Sequence, residues 1–532
     1  MQLCTEPQPI DVFIIGGGIN GCGIARDAAG RGLSVALAEQ SDLASATSSA
    51  STKLFHGGLR YLEYFKFRLV REALIEREIL LKATPHNSWP MRFVLPYHRD
   101  MRFEGNTPIS RFLQFFMPWI RGQRPAWLIR FGLFIYDYIG GRRLLRSART
   151  IDLKIDEAGR PLKSHFKKAF EYSDCWVEDS RLVVLNARSA EQMGAEIMTR
   201  MRVTAIRSKN NLWIINLINT ETGETLMRRS HVLVNAAGPW VGEILRNTLC
   251  LNTDAHIRLV RGSHIVTRKL YDHDKCYFLQ GADGRVIFAI PYETDFTLIG
   301  TTDMEHSDPA KKPICTPEEQ DYLINLASQY FEKNLTKEDI IWTYSGVRPL
   351  YDDGTASATA ATRDYVLQLD ESLGAPVLNV YGGKITTYRK LAEHALNKIV
   401  PFFPKAKKQC WTAGVALPGG DFPVNGFETL VSDLKNKFNY LDEFWAKRLV
   451  RAYGTESITM LADSTSIVDL GQNFGATLYE QEVRWLMEHE YVLSAEDILW
   501  RRSKLGLRLT EQQITELEKW IQSQRHEEQL TA

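Results

Sequence analysis

Apolar positions along this chain recur with more than one period, and each period marks a different kind of element. Near the N-terminus two short apolar runs, at 12–15 and 34–38, flank a glycine-bearing segment of helical character. That order predicts strand, tight turn, helix, strand. Residues 62–82 place apolar side chains at helical spacing with charges between them, and Pro85 closes that helix. Asp179 and Ser180 read as the opening of another helix, along which Leu182, Val183, Leu185 and Asn186 follow. Runs at 203–206 and 212–215 read as antiparallel strands, and the apolar run 231–234 leads into Asn235-Ala236-Ala237-Gly238-Pro239-Trp240. Alternation is clearest over 257–303, in IRLVRGSHIVT, KCYFLQG, RVIFAIPYE and FTLIGTTD, which predicts an antiparallel sheet. Helical periods return over 425–532, with Trp445, Trp485, Trp500 and Trp520 among charges and no catalytic signal.

These elements predict an α/β protein. A Rossmann-type nucleotide lobe and an antiparallel-sheet substrate domain are interleaved through residues 1–400, the sheet mainly at 80–170 and 250–350. The stretch 401–424, with Pro401, Pro404 and PGGDFP, reads as a linker to an all-helical domain at 425–532.

One stretch breaks the pattern. Between 99 and 140 the chain is crowded with Phe, Trp, Ile and Leu, and Arg111, Arg121, Arg124 and Arg130 are interspersed. Pro118, Gly122 and Pro125 interrupt it too often for a membrane span. Such a surface suits a lipid headgroup layer, a subunit interface or a buried helix pair.

Composition removes several classes. A net charge of +1 over 532 residues gives no global field for nucleic acid. The seven cysteines are scattered without a C-x-x-C pair, which argues against a disulfide framework or a structural zinc and suits a reducing compartment. No metal site is expected. Neither a signal pattern nor an Arg-rich transit pattern is recognised, so the expectation is a cytoplasmic protein.

The chemistry concentrates at glycines. Gly16, Gly18 and Gly21 stand in the G-x-G-x-x-G register between the first strand and helix, with Gly17, Ile19 and Asn20 between them. Gly16 permits the turn, Gly18 lets a pyrophosphate approach the backbone, and Gly21 lets helix and strand meet; Glu39, ending the second strand and followed by Gln40, can accept ribose hydroxyls. Small hydroxylated residues at 41–52, including Thr47, Ser48 and Ser49, lead into Lys53, Leu54, His56, Gly57, Gly58, Arg60 and Tyr61. Val203 and the Ala237, Gly238, Trp240 turn offer further close approach. A second glycine turn, Gly382-Gly383, precedes Lys384, Thr386 and Thr387 at a helix start. Arg60, Arg348, Arg363 and Lys384 lie beside such turns, and guanidinium forks suit a phosphate or carboxylate.

In order, IIGGGINGCGIARDAAGRGLSVALAE, SATSSASTKLFHGGLRYLE, FEYSDCW, NAAGPWV, RGSHIV, IGTTD, WTYSGVRPL, TRDY and GGKITTYRKLAEHA closely resemble the aerobic FAD-dependent glycerol-3-phosphate dehydrogenases over nearly the whole chain. The segment around 100–123 looks longer than in the bacterial pattern. The resemblance implies bound FAD, oxidation of sn-glycerol 3-phosphate to dihydroxyacetone phosphate, electron transfer to a membrane quinone, and peripheral attachment to the cytoplasmic face of the inner membrane. A homodimer is left open. In that reading Arg60, Tyr61, Arg348, Arg363 and Thr387 bind substrate; His56, Arg348 and Lys384 are catalytic, with His56 the candidate base. The other glycine-turn and loop residues named above hold FAD, and His56, Lys384 and Thr387 share in holding it. Alternatives are an oxygen-using oxidase of the same ester, an amino-acid or amine oxidase, and a non-catalytic flavin-bearing scaffold.

Overall fold

The computed structural model describes residues 7–99, 101–103, 107–110, 115, 123–141, 143–250, 257–351 and 364–531. Strand β1 (Ile10–Ile15) leads into helix α1 (Ile19–Gly30) and strand β2 (Val35–Ala38), as the apolar runs predict. In the first sheet the order is Val366–Asp370, Val377–Tyr381, Thr225–Asn235, β1, β2, Glu196–Met198. From Val377–Tyr381 to Glu196–Met198 the pairing is parallel throughout. Both faces of such a sheet are covered, which is why β1 reads as an unbroken apolar run: Val12, Phe13 and Ile14 are fully buried. Register sets Ile15 beside Asn235, and Asn235 beside Asn379. The turns that follow these strands, at 16–18, 236–240 and 382–384, therefore emerge together at one sheet edge, where ligands bind in open α/β sheets.

A second, ten-stranded sheet takes its strands from 54–55, 88–97, 149–177 and 257–351. Its longest pair joins Ile257–Arg268 to Ile340–Tyr351, antiparallel, with Gly262 opposite Gly346 and His264 opposite Tyr344. The helical domain has its own core, running from Phe427 to Ile521. The expected linker at 401–424 is not a loose tether. Leu417 belongs to the core of the nucleotide lobe, and a Cβ at Gly30 would strike the Trp411 ring at 2.1 Å.

Helix Ala126–Ile139 turns an aromatic face outward. Trp127, Phe131, Phe134 and Tyr138, each more than half exposed, follow the helical repeat, while Leu133 and Tyr136 point inward. Of the arginines expected on this surface, Arg130 is exposed, but Arg124 is buried against Glu63 at 2.7 Å; Arg111 and Arg121 lie outside the described residues. Among the described residues no helix is long and apolar enough to cross a membrane.

Candidate functional site

The first turn is closed by two glycines. Gly16 leaves β1 at φ +110°, and a Cβ there would lie 2.6 Å from the Ala236 carbonyl oxygen. A Cβ at Gly21 would lie 1.9 Å from the Gly16 oxygen, so α1 rests directly on the turn. Glu39 is oriented by backbone: Gly17 N–H donates to Oε2 at 2.8 Å and Ser41 N–H to Oε1 at 2.9 Å. Burial raises the Glu39 pKa, and these two donors oppose the rise. Ser48 Oγ accepts the Ile19 N–H at 3.0 Å, bringing the hydroxylated loop to the helix N-terminus. Gly16, Gly18, Glu39, Gln40, Thr47, Ser48, Val203, Ala237, Gly238 and Trp240 line one cavity. Its walls at Gly18, Thr47, Ser48, Ala236 and Gly238 continue into a second, of about 330 Å³.

Ile19, Asn20, Leu54, His56, Gly58, Arg60, Tyr61, Arg348, Gly382, Gly383, Lys384 and Thr386 line the second cavity. Gly382 and Gly383 adopt φ of +68° and +100°, a conformation that favours glycine. Asn20 Nδ2 donates to the Gly382 oxygen at 3.1 Å and ties the two glycine turns together. The buried Asn20 Oδ1 has no partner, leaving an acceptor on the wall for a bound donor. The His56 N–H donates to Thr386 Oγ1 at 3.3 Å, and the Gly57 N–H to the Tyr136 hydroxyl at 2.7 Å. Tyr136 in turn donates to Asp174, which Arg77 also grips. Arg348 reaches across the strand pair: a Cβ at Gly262 would lie 2.4 Å from its Nη2. Nη2 donates to Thr301 Oγ1 at 3.0 Å, and Nη1 pairs with Asp303. Lys384 Nζ sits 3.9 Å from the centre of the Tyr61 ring.

Some expected contacts stand behind this wall. Lys53 is buried in an ion pair with Asp179 at 2.6 Å and donates to the Ser49 carbonyl at 3.1 Å, so its ammonium braces the loop rather than a ligand. The Ser49 hydroxyl turns back to the Ala46 oxygen. Thr387 is buried where its helix begins, its N–H bonded to the Lys384 oxygen at 3.0 Å. Gly17, Gly21 and Gly57 shape the turns from behind. Arg363 lies outside the described residues.

Other lining residues escaped the sequence reading: Thr52, Gly262, His264, Thr301 and Asp303. His264 shares a 3.0 Å hydrogen bond with Thr52 and stacks on Tyr344 with ring centres 4.7 Å apart. Burial, with Arg348 and Lys53 adding to it, pushes the His264 pKa well down, so the ring stays neutral. Its signal lay in the strand alternation, which puts Gly262 and His264 on one face.

A nucleotide turn opening into a glycine-walled cavity with cations on its rim suits a dinucleotide cofactor beside an anionic substrate, and the family match makes that cofactor a flavin. Residues 11–389 match the FAD dependent oxidoreductase family, and residues 410–527 the C-terminal domain of alpha-glycerophosphate oxidase. The chain is 46% identical to D-erythritol 1-phosphate dehydrogenase of Brucella abortus, over 97% of its length and 98% of that protein's. It is 44% identical to the aerobic glycerol-3-phosphate dehydrogenase of Escherichia coli, over 96% and 97%. In fold it is similar to the FAD-complexed glycerol-3-phosphate dehydrogenase of Bacillus halodurans, with a TM-score of 0.70 at 24% identity, covering 97% and 94% of the two chains. The chain belongs to the aerobic, FAD-dependent glycerol-3-phosphate dehydrogenase family, and FAD is its cofactor.

Proposed function

We propose that this chain oxidises the secondary alcohol of sn-glycerol 3-phosphate to dihydroxyacetone phosphate and passes the electrons to a membrane quinone. The observation that carries this reading is that Arg60, Arg348 and Lys384 line the same cavity as the second glycine turn. A phosphate monoester dianion suits guanidinium forks. Asp303 and Thr301 preset the Arg348 fork, and Gly262 leaves it room. Arg363 is kept in the proposal as a further phosphate ligand on sequence grounds alone.

Bound FAD supplies the acceptor for the hydride from carbon 2. The chain's part is to fix the ester and accept the hydroxyl proton. His56 serves as base, on a turn whose backbone is tied to Thr386 and Tyr136. Neutral His264 orients rather than neutralises the phosphate. Lys384 adds positive charge beside the glycine turn. The outward aromatic face of Ala126–Ile139 is the surface that rests on lipid.

A second substrate reading rests on the Brucella relative, whose named substrate is also a polyol phosphate. Anaerobic bleaching of the flavin spectrum distinguishes them. Glycerol 3-phosphate is expected to reduce the flavin at the lowest concentration, and glycerol not at all. Reduction at a far lower concentration of D-erythritol 1-phosphate transfers the assignment to the longer polyol, and equal reduction by unphosphorylated glycerol removes both. Faster reoxidation by oxygen, with hydrogen peroxide formed, than by a quinone analogue would make the protein an oxidase.

A further inference from the structure

Among the described residues, the helical domain lines neither cavity, yet its arginines converge on the wall of the first. Glu39, Gln40, Ser41 and Ala44 line that cavity, while Asp42, between them, does not. Its carboxylate is buried in the other direction, gripped by Arg502 through Nη1 and Nη2 at 2.7 and 2.8 Å and by Arg501 Nε at 2.5 Å. Burial alone would raise the Asp42 pKa, but Arg502 and then Arg501 outweigh it and hold the carboxyl at about 2.

The grip closes into a circuit. Arg501 also pairs with Asp497, Asp497 accepts from Arg200 Nη2 at 2.6 Å, and the Arg200 N–H donates to the Ser41 oxygen at 3.0 Å. A separate contact acts alongside. Arg525 of the last helix pairs with Glu221 at 2.5 Å, next to Thr220, whose hydroxyl donates to the Gln40 oxygen at 3.2 Å. On its other side the same segment meets the phosphate turn. A Cβ at Gly17 would strike Leu43 at 2.8 Å, and the Ala44 N–H donates to the Gly17 oxygen at 3.1 Å. Ala44 holds φ +59°, a left-handed conformation that a non-glycine residue keeps only when its surroundings enforce it.

We infer that the helical domain retains FAD in this protein, with Asp42, Arg501 and Arg502 as positioning residues that hold segment 39–44 against the adenosine half of the cofactor. Asp42 is held out of solvent by the Arg502 fork and by Arg501 Nε together, so loss of either contact loosens the hold on the segment. Glu39 then loses the fixed position from which it meets the ribose. The inference rests on the cofactor alone and stands whichever polyol phosphate is the substrate.

The test follows FAD release from the holoprotein by flavin fluorescence after dilution, in wild type and in Arg501→Met, Arg502→Lys and Arg188→Met. Arg188 joins the same two domains, through Glu456 at 2.6 Å and Glu490 at 3.7 Å, and although the Glu490 carbonyl also accepts from Arg502, Arg188 itself touches nothing in segment 39–44. Release at least tenfold faster in the two Asp42-contacting variants than in Arg188→Met is expected, with the KM for substrate unchanged at saturating FAD. A ratio below threefold, even with a lowered melting temperature, reduces the contact to domain docking and overturns the inference. Should Arg502→Lys fail to fold, Arg501→Met, which leaves the Arg502 fork on Asp42, carries the same comparison.

Discussion

The two cavities recognise their contents by different means. The first is made of backbone: glycine turns, a helix N-terminus, and a carboxylate whose oxygens are set by the Gly17 and Ser41 amides. The second adds side chains to its glycine wall: Arg348 on one strand, His264 on the strand paired with it, and Lys384 beside the glycine turn. Backbone recognition tolerates almost no added volume. Side-chain recognition tolerates volume but not loss of charge or of the fork's shape.

The sharpest break of this contrast is Gly21→Val. Its Cβ would meet the Gly16 oxygen at 1.9 Å, a clash only backbone movement can relieve. The variant is expected to purify colourless, with FAD affinity lowered by about 3 kcal/mol or more, as for other overpacked sites. Flavin absorbance per polypeptide measures it. Arg348→Ala should do the opposite. FAD content stays at the wild-type level while kcat/KM falls roughly 100-fold, two charge-assisted hydrogen bonds at about 1.5 kcal/mol each. Arg348→Lys, which keeps the charge and loses the fork, should fall between; a lysine variant as active as wild type would show that charge alone matters at this cavity.

A general effect, spread over several pH units rather than seen at one condition, separates loss of either cavity from loss of the whole fold. His86 is fully buried beside Arg181, Arg451 and Arg188, and burial first, then those charges, push its pKa down to about 3. In the unfolded chain the ring takes a proton below about pH 6.5. The unfolded state therefore binds more protons between about pH 6.5 and pH 3, and stability falls as pH drops through that window, by up to about 1.4 kcal/mol per unit. Replacing His86 by Leu should flatten the acid limb of the melting temperature. An unchanged limb would place the acid sensitivity elsewhere.

The same contrast decides what could be read from the sequence. Gly16, Gly18, Gly21 and Glu39 act within one strand–helix–strand unit, so spacing alone reveals them. Gly382-Gly383 is visible as a turn, but only the parallel order of Val377–Tyr381, Thr225–Asn235 and β1 brings it to the first. His264 stayed hidden because alternation states that strands exist, not which face meets a ligand, and Asp303 because it stands in the loop after Phe296–Gly300, outside any strand. Lys53 misled for a related reason. A cation after a hydroxylated loop suggests phosphate, but its partner Asp179 lies 126 residues away. At 401–424 Pro and Gly report the backbone shape of a linker, whereas its packing, Trp411 over Gly30, leaves no mark in the sequence. Arg124 shows the same limit: its spacing in an aromatic stretch says nothing of the Glu63 that buries it.

Helix Ala126–Ile139 has two working sides. Its outer rings are those assigned to lipid, while on the inner side one phenol, Tyr136, holds the amide of Gly57 next to His56. The tyrosine is held in turn by Asp174, which Arg77 grips. In the proposed reading, the lipid-facing rings and the turn that carries His56 are thus joined through one phenol, Tyr136, so attachment and turnover would share a single mechanical part.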